Sequence, residues 1–305
     1  MRKHSLCTKN WNGKADVHAL SIDVEDWYQG IEIPMRQWGG FEQRVNRSMD
    51  RLLDLMAKRG VRATCFVLGR LAEEHPALVR RIHDAGHEIA THGYSHAKVY
   101  DLSRVRFRRE LRRSIDLLQD LTGERVCGHR APYFTVTEQS RWALDVLAEE
   151  GIRYDSSIHP VFNHRYGIAR ADRLPSVVTT QAGNRLLEAP VATLPLFEKV
   201  PLVPRVNLPV GGGAYLRLYP YPLQRRFLQA LERRGERFGL YVHPWEVDPH
   251  HPRLDDLPLR VSATHYVNLG STFDKLDALL GDFAFAPYCE VYADEIHALQ
   301  PEAPA

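Results

Sequence analysis

From residue 18 to residue 150 the sequence repeats one unit: a short apolar run, then apolar residues at helical spacing, then a glycine. Residues 18–23 (His-Ala-Leu-Ser-Ile-Asp) and 61–68 read as strands. Between them, residues 44–59 carry Val45, Met49, Leu52, Leu53 and Met56 at helical spacing, and Gly60 ends the run. Residues 76–85 turn Leu78 and Ile82 inward and stop at Gly86, after which Ile89 and Ala90 begin another apolar run. Strand, helix, strand, helix, strand is the βαβ rhythm, and it predicts a parallel sheet with helical crossovers.

The rhythm continues. Residues 103–121 open on a good cap, Ser103, and hold Phe107, Leu111, Ile115 and Leu118 on one face. The other face carries Arg104, Arg106, Arg108, Arg109, Arg112 and Arg113, which reads as a solvated face paired with Glu110 and Asp116 or, alternatively, as a contact for an anionic membrane or phosphate-bearing ligand. A strand at 125–129, a helix at 138–150 with Trp142, Val146 and Leu147 inward, and a strand at 152–157 follow. From 159 to 210 the pattern breaks into short proline-rich pieces, with 186–189 as the one strand. Gly211-Gly212-Gly213 lacks the spacing of a phosphate loop and reads as a flexible turn. A helix at 223–234, an apolar strand at 238–243, a helix at 272–280 and a closing strand near Val291 complete the prediction. The organisation expected is a polar tail over 1–16, one barrel over 17–250 and a C-terminal extension over 251–305 packed on it.

At 305 residues, one large α/β domain with decoration is the expected size class. A net charge of +2 gives no reason to expect nucleic acid. Cys7, Cys65, Cys127 and Cys289 are scattered without a Cys-x-x-Cys pair, which argues against a disulfide framework or a thiolate zinc site. Cys65 and Cys127 sit in apolar runs and read as buried thiols. Residues 1–17 lack the apolar stretch of a signal peptide and no run approaches a membrane helix, so the expected location is cytoplasmic.

The chemistry gathers where the strands stop. The first ends in Asp23, Glu25 and Asp26; three carboxylates in four residues repel one another unless a cation compensates. The third delivers His92 and His96 in Glu-Ile-Ala-Thr-His-Gly-Tyr-Ser-His, and a spacing of four puts both imidazoles on one side of a helical turn, within reach of one ion. The fourth strand ends in Arg130, the fifth in Asp155 and the last in His243. A closed parallel sheet brings these ends to one face, where barrel enzymes keep their chemistry. Each residue alone has a structural explanation; five strands delivering ionisable groups to one rim are hard to explain as packing.

The set resembles the polysaccharide deacetylases of the NodB-homology type, carbohydrate esterase family 4, over residues 19–246. The matching parts are Ser-Ile-Asp-Val-Glu-Asp-Trp, His-Gly-Tyr-Ser-His, Arg-Ala-Pro-Tyr and Leu-Tyr-Val-His. The Asp-Val-Glu-Asp-Trp form, Gly-Gly-Gly-Ala-Tyr-Leu-Arg and the tail around His265-Tyr266 resemble a subgroup found with exopolysaccharide and exosortase (PEP-CTERM) gene clusters. The resemblance implies a distorted (β/α)7 barrel and a divalent metal, Zn²⁺ or in its place Co²⁺ or another ion, held by one carboxylate and two histidines. Most relatives carry two adjacent aspartates after the first strand, a base and a ligand; here Val24 fills the second place. Asp23 keeps the base position, and the ligand is Glu25 or Asp26, with strand alternation favouring Glu25.

What the resemblance implies is metal-assisted hydrolysis of an N-acetyl group on a poly- or oligosaccharide. Asp23 is the base, Arg130 its partner, His92 and His96 are ligands, and His243 is the acid with Asp155 orienting it. The backbone N–H of Tyr133 donates to the oxyanion, and Trp27, Tyr133, Phe134 and Trp245 offer rings to a sugar. Two rival readings are a cytosolic deformylase or cyclic-amide hydrolase on the same metal site, and a sugar-binding relative without chemistry. Oligomeric state is left open.

Overall fold

The computed structural model describes residues 17–197 and 206–299; the expected polar tail, with Cys7, lies outside the described residues. In chain order the strands are β1 (Val17–Val24), β2 (Thr64–Val67), β3 (Glu88–Thr91), β4 (Gly128–His129), β5 (Tyr154–Asp155), β6 (Ser176–Thr179), β7 (Arg185–Glu188), β8 (Thr193–Leu196), β9 (Val206–Pro209), β10 (Gly239–Val242) and β11 (Ala284–Ala286). The α-helices are α1 (Val45–Arg59), α2 (Gly69–Glu74), α3 (Pro76–Asp84), α4 (Arg104–Thr122), α5 (Trp142–Glu149), α6 (Ala214–Leu218), α7 (Tyr221–Glu232), α8 (Leu259–Tyr266), α9 (Leu269–Asp282), α10 (Tyr288–Val291) and α11 (Ala293–His297).

Nine strands form one sheet in the order β10-β1-β2-β3-β4-β5-β7-β6, with β11 also paired to β1. All pairings are parallel except β6 with β7. The sheet curls until the stretch after β7 meets the opposite edge: Val191 bridges Gly239 of β10, and the Ala192 N–H donates to the Gly239 carbonyl at 2.9 Å. This is the α/β barrel-type architecture the strand–helix rhythm predicts.

Every residue of β1 is buried, because helices cover one face of the sheet and the barrel interior the other. Leu20, Ile22 and Val24 pack into the main core with Met49 and Leu52 of α1 and Leu111 of α4. Val17 and Ala19 point the other way, into a second cluster with Phe66, Ala90, Tyr154 and Tyr288. That inner cluster is stoppered by the C-terminal stretch. The Tyr288 N–H donates to Thr64 Oγ1 (2.8 Å), while half-buried Glu88 accepts from Tyr154 OH (2.8 Å) and from the Cys289 N–H (3.2 Å). With the bottom filled, the open end is the one at which β1, β3, β4 and β10 finish.

Several expectations are corrected. The closing strand is β11, and the residues around Val291 are helical (α10) because Pro287 at the start fixes a helical entry instead of a ladder. In the stretch 159–210 the expected strand is β7, and it is joined by β6, antiparallel to it, and by β8 and β9, antiparallel to each other. Gly211–Gly213 is a fixed element: the Tyr241 N–H donates to the Gly211 carbonyl (2.8 Å) and the Gly213 N–H to the Tyr241 carbonyl (3.3 Å), stitching the run onto β10. Cys65 is buried as expected, whereas Cys127 is half-buried.

Candidate active site

Beyond β1 the strand alternation persists for one more residue. Asp23 and Glu25 therefore stand on the inner face while Val24 packs outward. Asp26 leaves this line. Its carboxylate accepts the N–H groups of Trp27 (2.8 Å), Arg44 (2.7 Å) and Val45 (3.0 Å), so it serves the unpaired donors at the start of α1 and not the histidines. Of the two candidate ligands, the structure brings only Glu25 to them.

His92 is pinned at the end of β3 by its N–H to the Val67 carbonyl (2.9 Å), and its Nδ1 lies 2.8 Å from the Arg130 carbonyl. A carbonyl can only accept, so Nδ1 carries the hydrogen and Nε2 is left with its lone pair. The expected helical turn between His92 and His96 is absent; Gly93 (φ 74°) and His96 (φ 56°) bend residues 92–96 into a loop, which still brings the two rings to 5.4 Å. His96 Nε2 lies 2.6 Å from Glu25 Oε2. One ligand atom each from Glu25, His92 and His96 fall within 4.8 Å of one another, and all three residues are buried. Two ligands about 2.1 Å from one ion stand roughly 3–4 Å apart, so the cluster has the dimensions of a three-ligand site. Its donor chemistry fits too. Burial, only partly opposed by Asp23, lowers His92 to about 4, so its imidazole is neutral. Burial alone would raise Glu25, but His96 and His243 outweigh it and bring it to about 2, so it is ionised.

Beside this cluster lies a buried ion pair. Arg130 Nη1 donates to Asp23 Oδ1 (2.6 Å) and Ser21 Oγ (2.8 Å), Nη2 to Ser156 Oγ (2.9 Å), and Nε to the Ser156 carbonyl (3.1 Å). The guanidinium is fully buried against the ring faces of Phe66 (4.3 Å), Phe134 (5.5 Å) and Tyr241 (5.5 Å). Desolvating each charge costs several kcal/mol, which only the partner and the extra hydrogen bonds repay. The pair is therefore one unit, with Asp23 Oδ2 turned to the cavity 3.9 Å from His243 Nε2.

His243 closes the ring from β10. Its Nε2 is 3.3 Å from Glu25 Oε1 and its Nδ1 is 2.9 Å from Glu246 Oε2. Burial pulls its pKa down, but Glu25, Glu246 and Asp23 outweigh burial and raise it to about 9. Glu246 in turn is gripped by the buried Arg217 through Nε (2.7 Å). Asp155, expected to orient His243, sits elsewhere: it lies 2.7 Å from His129 Nδ1 and accepts from Ser157 Oγ (2.6 Å), because β5 delivers it beside β4. Neither Glu246 nor Arg217 was given a role by the sequence reading; the acid three residues after His243 was the signal for the first, and the second closes the Gly-Gly-Gly-Ala-Tyr-Leu-Arg stretch already singled out.

Trp27 is also corrected. It is wholly buried, donates to the Glu42 carbonyl (3.0 Å) and stacks on His251, so it is core. Tyr133, Phe134 and Trp245 do line a cavity of about 460 Å³ together with Asp23, Glu25, the three histidines and, from the second half of the chain, His159, Tyr166 and Tyr215. Tyr133 stands edge-on to His96 (4.5 Å) and Trp245 donates to Glu25 Oε1 (3.3 Å). His96, Tyr133 and Phe134 all hold φ near 55°, a left-handed conformation costing about 1–3 kcal/mol at each non-glycine residue and concentrated here at one site. The arginine face of α4 is engaged with acids: Arg104 and Arg108 with Glu149, Arg108 and Arg112 with Glu150, Arg106 with Glu110, and Arg113 with Glu73. Among the described residues no helix is long and apolar enough to cross a membrane.

Residues 39–154 match a family model described as polysaccharide deacetylase, and residues 156–293 match a domain of unknown function, DUF3473. The boundary falls beside β5, inside the single sheet. A peptidoglycan deacetylase of Helicobacter pylori is 35% identical over 108 residues, 35% of this chain and 36% of that protein. A peptidoglycan-N-acetylglucosamine deacetylase of Bacillus cereus is 28% identical over 128 residues (38% and 46%), and a chitooligosaccharide deacetylase of Rhizobium leguminosarum bv. trifolii is 26% identical over 126 residues (38% and 56%). The chain thus spans between 36% and 56% of the length of these curated relatives. Among solved structures, a Mycobacterium smegmatis protein assigned as a polysaccharide deacetylase superposes with TM-score 0.62 at 20% identity, covering 97% of this chain and 96% of that one. A PuuE allantoinase superposes with TM-score 0.60 at 16% identity, covering 96% and 94%. These two share the fold.

Proposed function

Because the chain carries a polysaccharide deacetylase domain of the NodB-homology, carbohydrate esterase family 4 type, we propose that it is a metal-dependent hydrolase that removes N-acetyl groups from N-acetylhexosamine units of a poly- or oligosaccharide. The observation that carries this reading is the meeting, in one cavity, of the Glu25–His92–His96 donor cluster, the Asp23–Arg130 pair and His243.

Glu25, His92 and His96 would hold a divalent ion, Zn²⁺ by the nitrogen-rich donor set or Co²⁺ in its place, which when bound would supply Lewis acidity to a carbonyl oxygen and to water. Asp23 accepts the proton of the attacking water through the oxygen that Arg130 leaves free, and the hydrogen bond from Arg130 keeps the carboxylate aimed. The backbone N–H of Tyr133 donates to the oxygen that gains charge as the carbonyl carbon becomes tetrahedral. His243 gives the proton of Nε2 to the leaving nitrogen, since an amide anion is too basic to depart unprotonated. The C–N bond breaks, a C–O bond forms, and acetate and a free amine result. Phe134 and Trp245 supply ring faces to the sugar. The resemblance to the subgroup of exopolysaccharide loci points to an exopolysaccharide precursor as the acceptor of this chemistry.

The test is acetate release from N-acetylglucosamine oligomers by chelator-stripped protein, with and without added Zn²⁺ or Co²⁺, beside His92→Ala. Metal-dependent release abolished by the substitution is the expected result. Stoichiometric metal uptake with no acetate would leave the site and move the substrate to other amides, and no metal uptake at all would overturn the reading of His92 and His96.

A further inference from the structure

His159 is a polar residue that nothing in the reaction above uses. It lies on the wall of the catalytic cavity, within the stretch 156–293 whose family model has no assigned function. Only 2% of its surface is exposed, and neither Nδ1 nor Nε2 has a hydrogen-bond partner. The ring is held firmly. Tyr166 stacks nearly parallel to it (9°, 5.7 Å between centroids) and Phe134 packs obliquely at 5.4 Å. Its own carbonyl accepts the N–H groups of Val161 (2.8 Å) and Ile168 (2.9 Å), so the backbone that carries it is fixed as well.

A buried polar nitrogen left unpaired is destabilising, and a phenylalanine would fill the same space between Phe134 and Tyr166 without that cost. The ring is also uncharged: burial, with Arg130 nearby, lowers its pKa to about 3. A neutral imidazole presents one donor and one acceptor, which is the pairing capacity of a hydroxyl group. Tyr166, half-buried on the loop that starts at His159, lines the same cavity.

We propose that His159 is a substrate-recognition residue whose imidazole hydrogen-bonds a ring hydroxyl of the sugar that carries the reacting acetamide. The proposal deepens, and rests on, the reading of the cavity as an N-acetylated-sugar site. It also gives the second half of the chain a role in specificity besides supplying His243.

The experiment compares wild type, His159→Phe and His159→Asn, all metal-loaded, on the N-acetylglucosamine tetramer and on its monodeoxy analogues. His159→Phe lowers kcat/KM about ten- to a hundred-fold, with the larger part in KM, while its melting temperature is equal to or above that of wild type. His159→Asn, which retains a donor and an acceptor, recovers part of the loss. For one monodeoxy analogue the loss from the missing hydroxyl and the loss from His159→Phe fail to add, which identifies the partner hydroxyl. Rates for His159→Phe within twofold of wild type, or full additivity at every hydroxyl, overturn the proposal. If the wild type releases no acetate from any of these sugars, the deacetylase reading fails by itself, and calorimetric titration with the tetramer decides His159. Weaker binding by His159→Phe than by wild type supports the recognition role; equal binding, or none by the wild type, overturns it.

Discussion

Glu246 Oε2 accepts both the backbone N–H of His243 and, at the same 2.9 Å, faces its Nδ1, so a single carboxylate oxygen fixes the peptide and the ring of one residue. Arg217 holds the other oxygen at 2.7 Å. The ring is thereby left one direction for Nε2, toward Glu25 and Asp23.

This arrangement predicts a pH profile. His243 is pulled down by burial but raised from 6.5 to about 9 by Glu25, Glu246 and Asp23. A folded-state pKa above the unfolded one contributes stability that is complete below about 6.5 and lost as pH rises through about 9. Glu25 and Glu246 go the other way: burial raises each, neighbouring cations bring each to about 2, and their contribution is complete above about 4.5 and lost as pH falls toward 2. Metal-stripped protein should therefore lose stability at both extremes in thermal melts. Removing the Glu246 charge with Glu246→Gln should lower the alkaline limb of kcat by about one to three pH units. Asp155→Asn, which touches His129, should leave that limb in place. A limb unmoved by Glu246→Gln would remove Glu246 from its orienting role.

The Asp23–Arg130 pair predicts an asymmetry in stability. Arg130→Ala leaves a buried carboxylate without its cation and empties a space lined by Phe66, Tyr241 and Tyr288. Breaking one side of a buried pair costs about 3–5 kcal/mol, so the unfolding free energy extrapolated from urea titration should drop by that amount and kcat should fall with it. Arg130→Lys should recover little, since an ammonium cannot serve Asp23, Ser21 and both oxygens of Ser156 together. An Arg130→Ala protein as stable as wild type would mean that the pair contributes nothing to the fold.

The two acids after β1 separate cleanly by experiment. Glu25→Ala should abolish stoichiometric Zn²⁺ or Co²⁺ uptake measured by titration, while leaving the fold intact. Asp26→Ala should keep metal uptake and instead lose about 1–2 kcal/mol or more, because the N–H groups of Arg44 and Val45 at the start of α1 lose their acceptor. The reverse pattern would exchange their roles.

How far the sequence reached follows from the range of each signal. Periodicity and glycine stops marked the elements from β1 to α5 because both are local, except α2, whose six residues are too few to show a helical period, and strand alternation favoured Glu25 over Asp26 for the reason the structure displays. The runs β6, β8 and β9 have four residues each, too few to carry a period among the prolines and turn residues around them. Asp155 was misplaced for a different reason: ending a strand at the rim does not say which neighbour the side chain meets, and β4 puts His129 there first. Trp27 looked like a sugar platform because it follows the acids, yet the turn after Asp26 carries it to Glu42 and His251.

The glycine run is where local reading failed most instructively, and it yields the last prediction. Three consecutive glycines suggest freedom; here they permit contact. Gly212 has φ 130°, and a Cβ there would stand 1.9 Å from the carbonyl oxygen of Tyr241. That backbone is β10, two residues before His243. Gly212→Ala should therefore cost about 2–4 kcal/mol, through a steric clash that only a backbone shift can relieve, and the shift should lower kcat by displacing His243. Gly235→Ala is the matched control: its φ is 71° and nothing lies within 4 Å of the added Cβ, so only the left-handed strain of about 1–2 kcal/mol applies and kcat should hold. Equal losses at the two positions in urea unfolding would show that conformation alone, and not the approach of β10, demands glycine at 212.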